Sequence, residues 1–169
     1  LAAQIAAVQG AALNDDDLAL VMLGMHDVLE LYAQYPTTGR AELLAAAQAR
    51  GVSLGRQINA LAERGPAVVV LTMLDMGLTP FALAQNTSTG DNTRAALLTE
   101  LSATLNRGLF STLTNDGRLI GIAFPDIDQQ TIVKFPASFG LTNVVDAACR
   151  SDTPLPGCTT ATLVTGATA

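Results

Sequence analysis

Apolar positions along this chain follow two different rhythms. Three short runs are almost continuously apolar: Leu18 to Leu23 (LALVML), Ala67 to Leu74 (AVVVLTML) and Leu119 to Phe124 (LIGIAF). Turn formers precede each of them, namely Asn14-Asp15-Asp16-Asp17, Gly65-Pro66 and Asn115-Asp116-Gly117. Runs this short, without polar alternation, predict strands buried on both faces, as in a parallel sheet. Between the runs, apolar residues recur every three or four positions, the period of an amphipathic helix. Residues 92–113 align Leu97, Leu101, Leu105 and Leu109, with Leu98 and Leu113 beside them and Asp91 placed as an N-cap. Residues 40–64 align Leu43, Leu44, Ala47, Leu54, Ile58 and Leu61, with a break expected near Gly51-Val52-Ser53. Residues 1–12 place Leu1, Ile5 and Val8 at helical spacing. Strands and helices alternating with connections this long predict an open α/β sheet with right-handed crossovers.

Composition narrows the class. The 169 residues suit a single domain over 1–169, and with 49% apolar and 14% charged residues the chain is expected to bury a real core. No apolar run reaches the roughly 18–20 residues that cross a bilayer. A net charge of −6 with Lys134 as the only lysine argues against nucleic-acid binding through phosphates. Scarce lysine, abundant alanine and threonine and a close cysteine pair suit an exported bacterial protein: secreted, periplasmic or at the cell surface. Cys149 and Cys158 bracket a loop containing Pro154, Pro156 and Gly157. A disulfide there would remove chain entropy worth roughly 2.5 kcal/mol and suits an oxidising compartment. The alternative is two free thiols in a cytosolic protein. No metal site is expected, because His26 is the only histidine and the cysteines lie far from it. No cofactor is expected either.

In an open α/β sheet, chemistry collects in loops at the carboxyl ends of the strands. Those loops are Gly24-Met25-His26-Asp27, Asp75-Met76-Gly77-Leu78-Thr79-Pro80 and Pro125-Asp126-Ile127-Asp128. Taken singly, each reads as a tight turn or a helix cap. Asp75 and Asp126 are better read as structural caps than as walls of a cleft.

The order of these segments carries more information. The run DLALVMLGMHDVLELY resembles the segment of SGNH (GDSL-type) hydrolases in which a buried strand ends in Gly-x-Asn-Asp. GPAVVVLTMLDMGLTPFA resembles the next strand of that family, with its Gly-x-Thr-Pro loop. Asp126 to Cys149, with PASFGLTNVVDAAC, resembles a late segment of the secreted bacterial esterase/lipase branch. The resemblance spans nearly the whole chain. It implies a three-layer α/β/α, flavodoxin-like open parallel sheet. The three runs would lie in the order 18–23, 67–74, 119–124, with helices on both faces. It also implies a Ser-His-Asp carboxylic ester hydrolase acting on small-molecule or lipid esters.

The same comparison exposes departures. Neither the family's Gly-Asp-Ser-Leu block nor its Asp-x-x-His block is present, so the serine nucleophile and histidine base are expected outside this segment. The chain opens on Leu1 without an initiator methionine and is read as an incomplete interior part of such a domain. Gly24, His26 and Asp27 would form the oxyanion-hole loop, with Asp27 in support. His26 stands where the family has asparagine. A neutral imidazole donates one N–H, from a larger ring than an amide. The edge at Leu18–Leu23, normally beside the serine-bearing strand, should be covered by the rest of the same polypeptide or by a partner chain. A catalytically inactive scaffold or binding domain of the same fold, and an unrelated flavodoxin-like binding domain, stay open as alternatives.

Overall fold

The computed structural model of the protein describes residue 7 and residues 13–114, 117–150 and 158–167. The helix expected over 1–12, apart from Ala7, lies outside the described residues. So do the Asn115-Asp116 turn and the Pro154–Gly157 loop.

Each apolar run supplies one strand: β1 (Leu18–Val21), β2 (Ala67–Leu71) and β3 (Ile120–Ala123). They form a parallel sheet in the order β1-β2-β3, with Leu18 opposite Ala67 and Val68 opposite Ile120. The runs outlast the strands. Met22–Leu23, Thr72–Leu74 and Phe124 leave the ladder and become the loops at its carboxyl edge. Among residues 13–167, five α-helices accompany this frame in the described parts: α1 (Met25–Tyr32), α2 (Arg40–Ala62), α3 (Pro80–Thr89), α4 (Arg94–Phe110) and α5 (Pro125–Lys134). A short 3-10 turn, Met76–Leu78, precedes α3.

Helix starts follow local chemistry. Thr79 caps α3 by accepting the Ala82 N–H at 3.3 Å, with Pro80 opening the first turn. The cap expected at Asp91 shifts by two residues, since Thr93 is the N-cap of α4. Asp91 instead builds the turn ahead of the helix, accepting from the backbone and hydroxyl of Thr93 at 3.0 and 2.6 Å.

The break expected near Gly51 does not occur: α2 runs unbroken from Arg40 to Ala62. Glycine is present because α4 crosses directly over it. A Cβ at Gly51 would lie 2.1 Å from the Leu105 carbonyl oxygen, and one at Gly108 would lie 2.4 Å from that of Gln48. The two helices therefore meet backbone to backbone through a reciprocal glycine notch. That contact lets Leu54, Ile58, Leu61 and Leu109 reach Val21, Val68, Val70 and Ile120 on the sheet. A second apolar cluster, including Leu31, Leu43, Leu98, Leu101 and Leu105, joins α1, α2 and α4.

Burial on the sheet is one-sided among the described residues, which departs from the expected burial on both faces. Val68 and Val70 are buried under α2 and α4, whereas Leu18 and Leu20, on the opposite face of β1, are 67% and 68% exposed. The physical reason is that α2 and α4 converge on the same face through their glycine contact.

Beyond β3 the chain packs thinly. No residue of α5 is buried, and Phe135, Phe139 and Val145 are about half exposed. Cys149 and Cys158 form a disulfide with a Cα–Cα separation of 5.8 Å. An antiparallel bridge between Cys149 and Leu163 lies beside it. No helix among the described residues is long and apolar enough to cross a membrane.

Candidate functional site

The carboxyl edge of the sheet forms its principal concavity where β1 gives way to α1. Gly24 makes that turn with φ of 118°, in the left-handed region that glycine reaches without a Cβ penalty. Its carbonyl accepts the Val28 N–H at 3.0 Å, the first bond of α1. Space imposes a second requirement, since a Cβ here would meet Leu105 Cδ2 at 3.0 Å and Met73 Sδ at 3.1 Å. Gly24 thus presses the start of α1 onto the end of β2 and onto α4.

Helix α1 turns Val28, Leu31 and Tyr32 inward. Met25, His26 and Glu30 are left on its exposed side. The result is a cavity of about 470 Å³, bounded by Met22, Leu23, Met73 and Leu74, by Gly24 and by Met25, His26 and Asp27 of the first turn of α1. Three thioether side chains in its wall make it apolar and adaptable in shape. His26 is the group at this cavity whose ring can donate a hydrogen bond through either of two nitrogens. No hydrogen bond anchors its imidazole among the described residues, and its side chain is exposed.

Asp27 faces away from that freedom. Arg50, reaching across from α2, places Nη1 3.2 Å from the Asp27 carboxylate, 3.2 Å from the Asp27 carbonyl and 2.8 Å from Glu30 Oε2. The hydrogen bond and charge of Arg50 hold the Glu30 carboxyl below its ordinary value, and Glu30 in return raises the guanidinium above its own. The three site residues read from the sequence, Gly24, His26 and Asp27, therefore border one cavity, but the expected loop ends at Gly24: His26 and Asp27 lie in the first turn of α1, because the left-handed turn at Gly24 starts the helix at once. Cys149 and Cys158 do not border it.

Asp75 and Asp126 act as ties. Asp75 Oδ1 accepts from the Gly77 N–H at 2.9 Å and from Thr99 Oγ1 at 2.7 Å, while Asp126 accepts the hydroxyl of the fully buried Thr72. Gln129 brackets Asp75 by accepting its N–H at 2.8 Å and donating to its carbonyl at 3.1 Å. A small cavity of about 70 Å³ lies among these groups. Its lining side chains are largely engaged with one another and with backbone, so it reads as a strut.

Sequence reasoning missed two residues of this scaffold. Asn106 accepts the Met73 N–H and donates to the Met73 carbonyl, both at 2.9 Å, which fixes the chain where β2 becomes the cavity wall. Ser102 accepts the Met76 N–H at 3.1 Å. Both are buried. A signal for them does exist, because Thr99, Ser102 and Asn106 fall at spacings of three and four within the leucine stripe of α4. Polar residues on a buried helix face require partners.

Among the described residues, no group of three or more His, Cys, Asp or Glu side chains is arranged to hold a metal. No protein-family model matches the chain, and no curated protein matches it in sequence.

Proposed function

We propose that this chain forms the interior of an SGNH-type carboxylic ester hydrolase, with Gly24 and the first turn of α1 lining its oxyanion hole. The observation that carries this reading is the position of that turn: it follows the first strand of a parallel sheet and walls an apolar cavity. Gly24 supplies the turn, His26 the hydrogen-bond donor and Asp27 the anchor. Preorganised donors of this kind stabilise the charge that develops on the carbonyl oxygen during attack. In this reading the serine nucleophile and histidine base come from outside the segment. His26 is the only histidine and is taken here as the donor, and none of the cavity-lining residues is a serine.

The three-layer α/β/α arrangement belongs to the same proposal. Two leucines of β1 exposed by two thirds on one sheet face are costly in water. Covering each is worth about 1.5–3 kcal/mol. In the proposed protein, further parts of the same polypeptide or a partner chain cover this face and the free edge of β1. The disulfide favours an oxidising compartment, consistent with a secreted, periplasmic or surface location.

His26 in place of an amide also favours a second reading, a catalytically inactive scaffold of the same fold. Treating the full-length polypeptide with a fluorophosphonate, which phosphonylates activated serines with loss of fluoride, separates the two. The hydrolase reading expects one labelled serine, located outside residues 1–169, together with hydrolysis of a short p-nitrophenyl ester. No labelling and no hydrolysis would leave the scaffold.

A further inference from the structure

Among the described residues, Arg50 is the one cation that ties α2 to the start of α1. A single nitrogen, Nη1, makes all of its contacts: the carbonyl and carboxylate of Asp27, and the carboxylate of Glu30. The other contacts of this turn are the backbone bond from the Val28 N–H to the Gly24 carbonyl and the close packing at Gly24. Gly24 caps α1 without any side-chain hydrogen bond, and the loop before it is apolar. The buried residues Val28 and Leu31 hold the helix against the core, and Tyr32 at its far end donates to Gln85 Oε1 at 3.2 Å, which leaves Arg50 as the side-chain tie at the first turn among the described residues. Charged hydrogen bonds have direction. Arg50 and Asp27 are only partly exposed, with 27% and 17% of their side chains accessible, so solvent weakens the bond between them less than it would on an open surface.

We infer that Arg50 is a positioning residue, clamping the first turn of α1 through Asp27 so that His26 is held at the cavity mouth. This rests on the proposed hydrolase reading for its effect on catalysis, but not for its effect on the helix. Glu30 lies four residues after His26 on α1, close enough along the helix to compete for the imidazole as an (i, i+4) partner. Arg50 takes Glu30 Oε2, and no hydrogen bond joins that carboxylate to the imidazole among the described residues. The contacts require a compact cation at one point more than they require a planar fork. A lysine ammonium, with three donors at its tip, therefore satisfies the same acceptors, whereas a glutamine amide carries no charge to hold them.

The test compares Arg50→Gln, Arg50→Lys and, as a control on the same helix, Arg40→Gln in the full-length polypeptide. Arg40 pairs with Glu100 on an exposed surface away from the cavity. Two readouts are taken: amide hydrogen exchange of Val28, whose N–H closes the first turn, and kcat and KM for a short p-nitrophenyl ester. Arg50→Gln is expected to speed Val28 exchange about 10-fold and lower kcat about 10–100-fold with KM unchanged, since misplacing a catalytic group by an ångström costs on that order. Arg50→Lys is expected to recover most of both effects, and Arg40→Gln to change neither. If the parent protein shows no hydrolysis, the hydrolase reading fails and exchange alone judges the clamp. Unchanged Val28 exchange in Arg50→Gln overturns the clamp whatever the activity. Faster exchange with kcat unchanged in an active parent overturns its positioning role.

Discussion

Replacing Gly51 by alanine should destabilise the protein even though alanine is the better helix former. A Cβ there would sit 2.1 Å from the Leu105 carbonyl oxygen, 2.9 Å from Leu109 N and 3.0 Å from Leu105 C. All three atoms are backbone, so no side-chain rotation relieves the clash. Non-bonded heavy atoms settle near about 3.5 Å, which forces α2 and α4 apart by roughly 1.4 Å at the crossing. A gap of about 0.5–1 Å already forfeits a quarter to a half of the dispersion attraction of the lining atoms. The upper end of the usual overpacking cost, about 3 kcal/mol, therefore applies. Alanine's helix preference offsets about 1 kcal/mol of it. The net loss is about 2 kcal/mol, which corresponds to a fall in Tm of about 4–8 °C for a chain of this size. Gly121→Ala provides the contrast, because its Cβ would lie 3.9 Å from Val69 Cγ2, an ordinary contact. That change should stabilise by about 0.4–1 kcal/mol, by restricting the unfolded chain. Urea unfolding followed by circular dichroism ranks the three proteins. A Gly51→Ala protein as stable as its parent would refute the backbone contact between α2 and α4.

Three further outcomes follow from particular contacts. Asn106→Ala removes both hydrogen bonds to Met73 from a buried position and should cost about 2–4 kcal/mol in chemical denaturation, because two backbone groups lose their partners; a cost below about 0.5 kcal/mol would mean that solvent replaces the amide. Cys149→Ser with Cys158→Ser should release about 2.5 kcal/mol of constraint locally, so exchange should quicken around Arg150 and Val164 while α2 and α4 stay protected; uniform loss of protection would show that this lobe belongs to the main cooperative unit. Glu30 is held below its ordinary value by Arg50, and Asp91 below its own by hydrogen bonds from Thr93 and then Arg94. For such depressed carboxyls, the stabilisation is complete above the ordinary carboxylate range and is lost as pH falls through the lower folded values. Melting temperatures should therefore drop on acidification below about pH 4, and less steeply in Arg50→Gln; an identical acid limb in that variant would exclude the Arg50–Glu30 pair as a cause.

Much of the fold was legible because period and turn chemistry agree. The three apolar runs became the three parallel strands in the expected order, and the leucine stripes at 40–64 and 92–113 became the two helices that cover the sheet. Gly51 was misread because a glycine that breaks a helix and one that admits a neighbouring helix look the same in sequence. Only the partner, Gly108 in α4, distinguishes them, and that pairing is a tertiary fact. One-sided burial of β1 was hidden for a related reason, since LALVML contains no polar residue to mark which face lacks a cover. Within the candidate site, Gly24, His26 and Asp27 were visible as a strand-end loop. Arg50 was not, because a lone arginine 23 residues from its partner carries no local pattern.

In the proposed hydrolase, His26 serves as the hydrogen-bond donor in place of a side-chain amide. The most direct test of this role is the turnover of a short p-nitrophenyl ester by the full-length polypeptide, parent against His26→Asn. One missing oxyanion donor typically costs about 10²–10³ in rate, so a partly effective imidazole leaves room for a gain of about 10-fold in kcat when the amide is introduced. Serine-dependent hydrolysis that rises in His26→Asn is the predicted result. Hydrolysis that is absent from the parent, or that asparagine leaves unchanged or lowers, would contradict it.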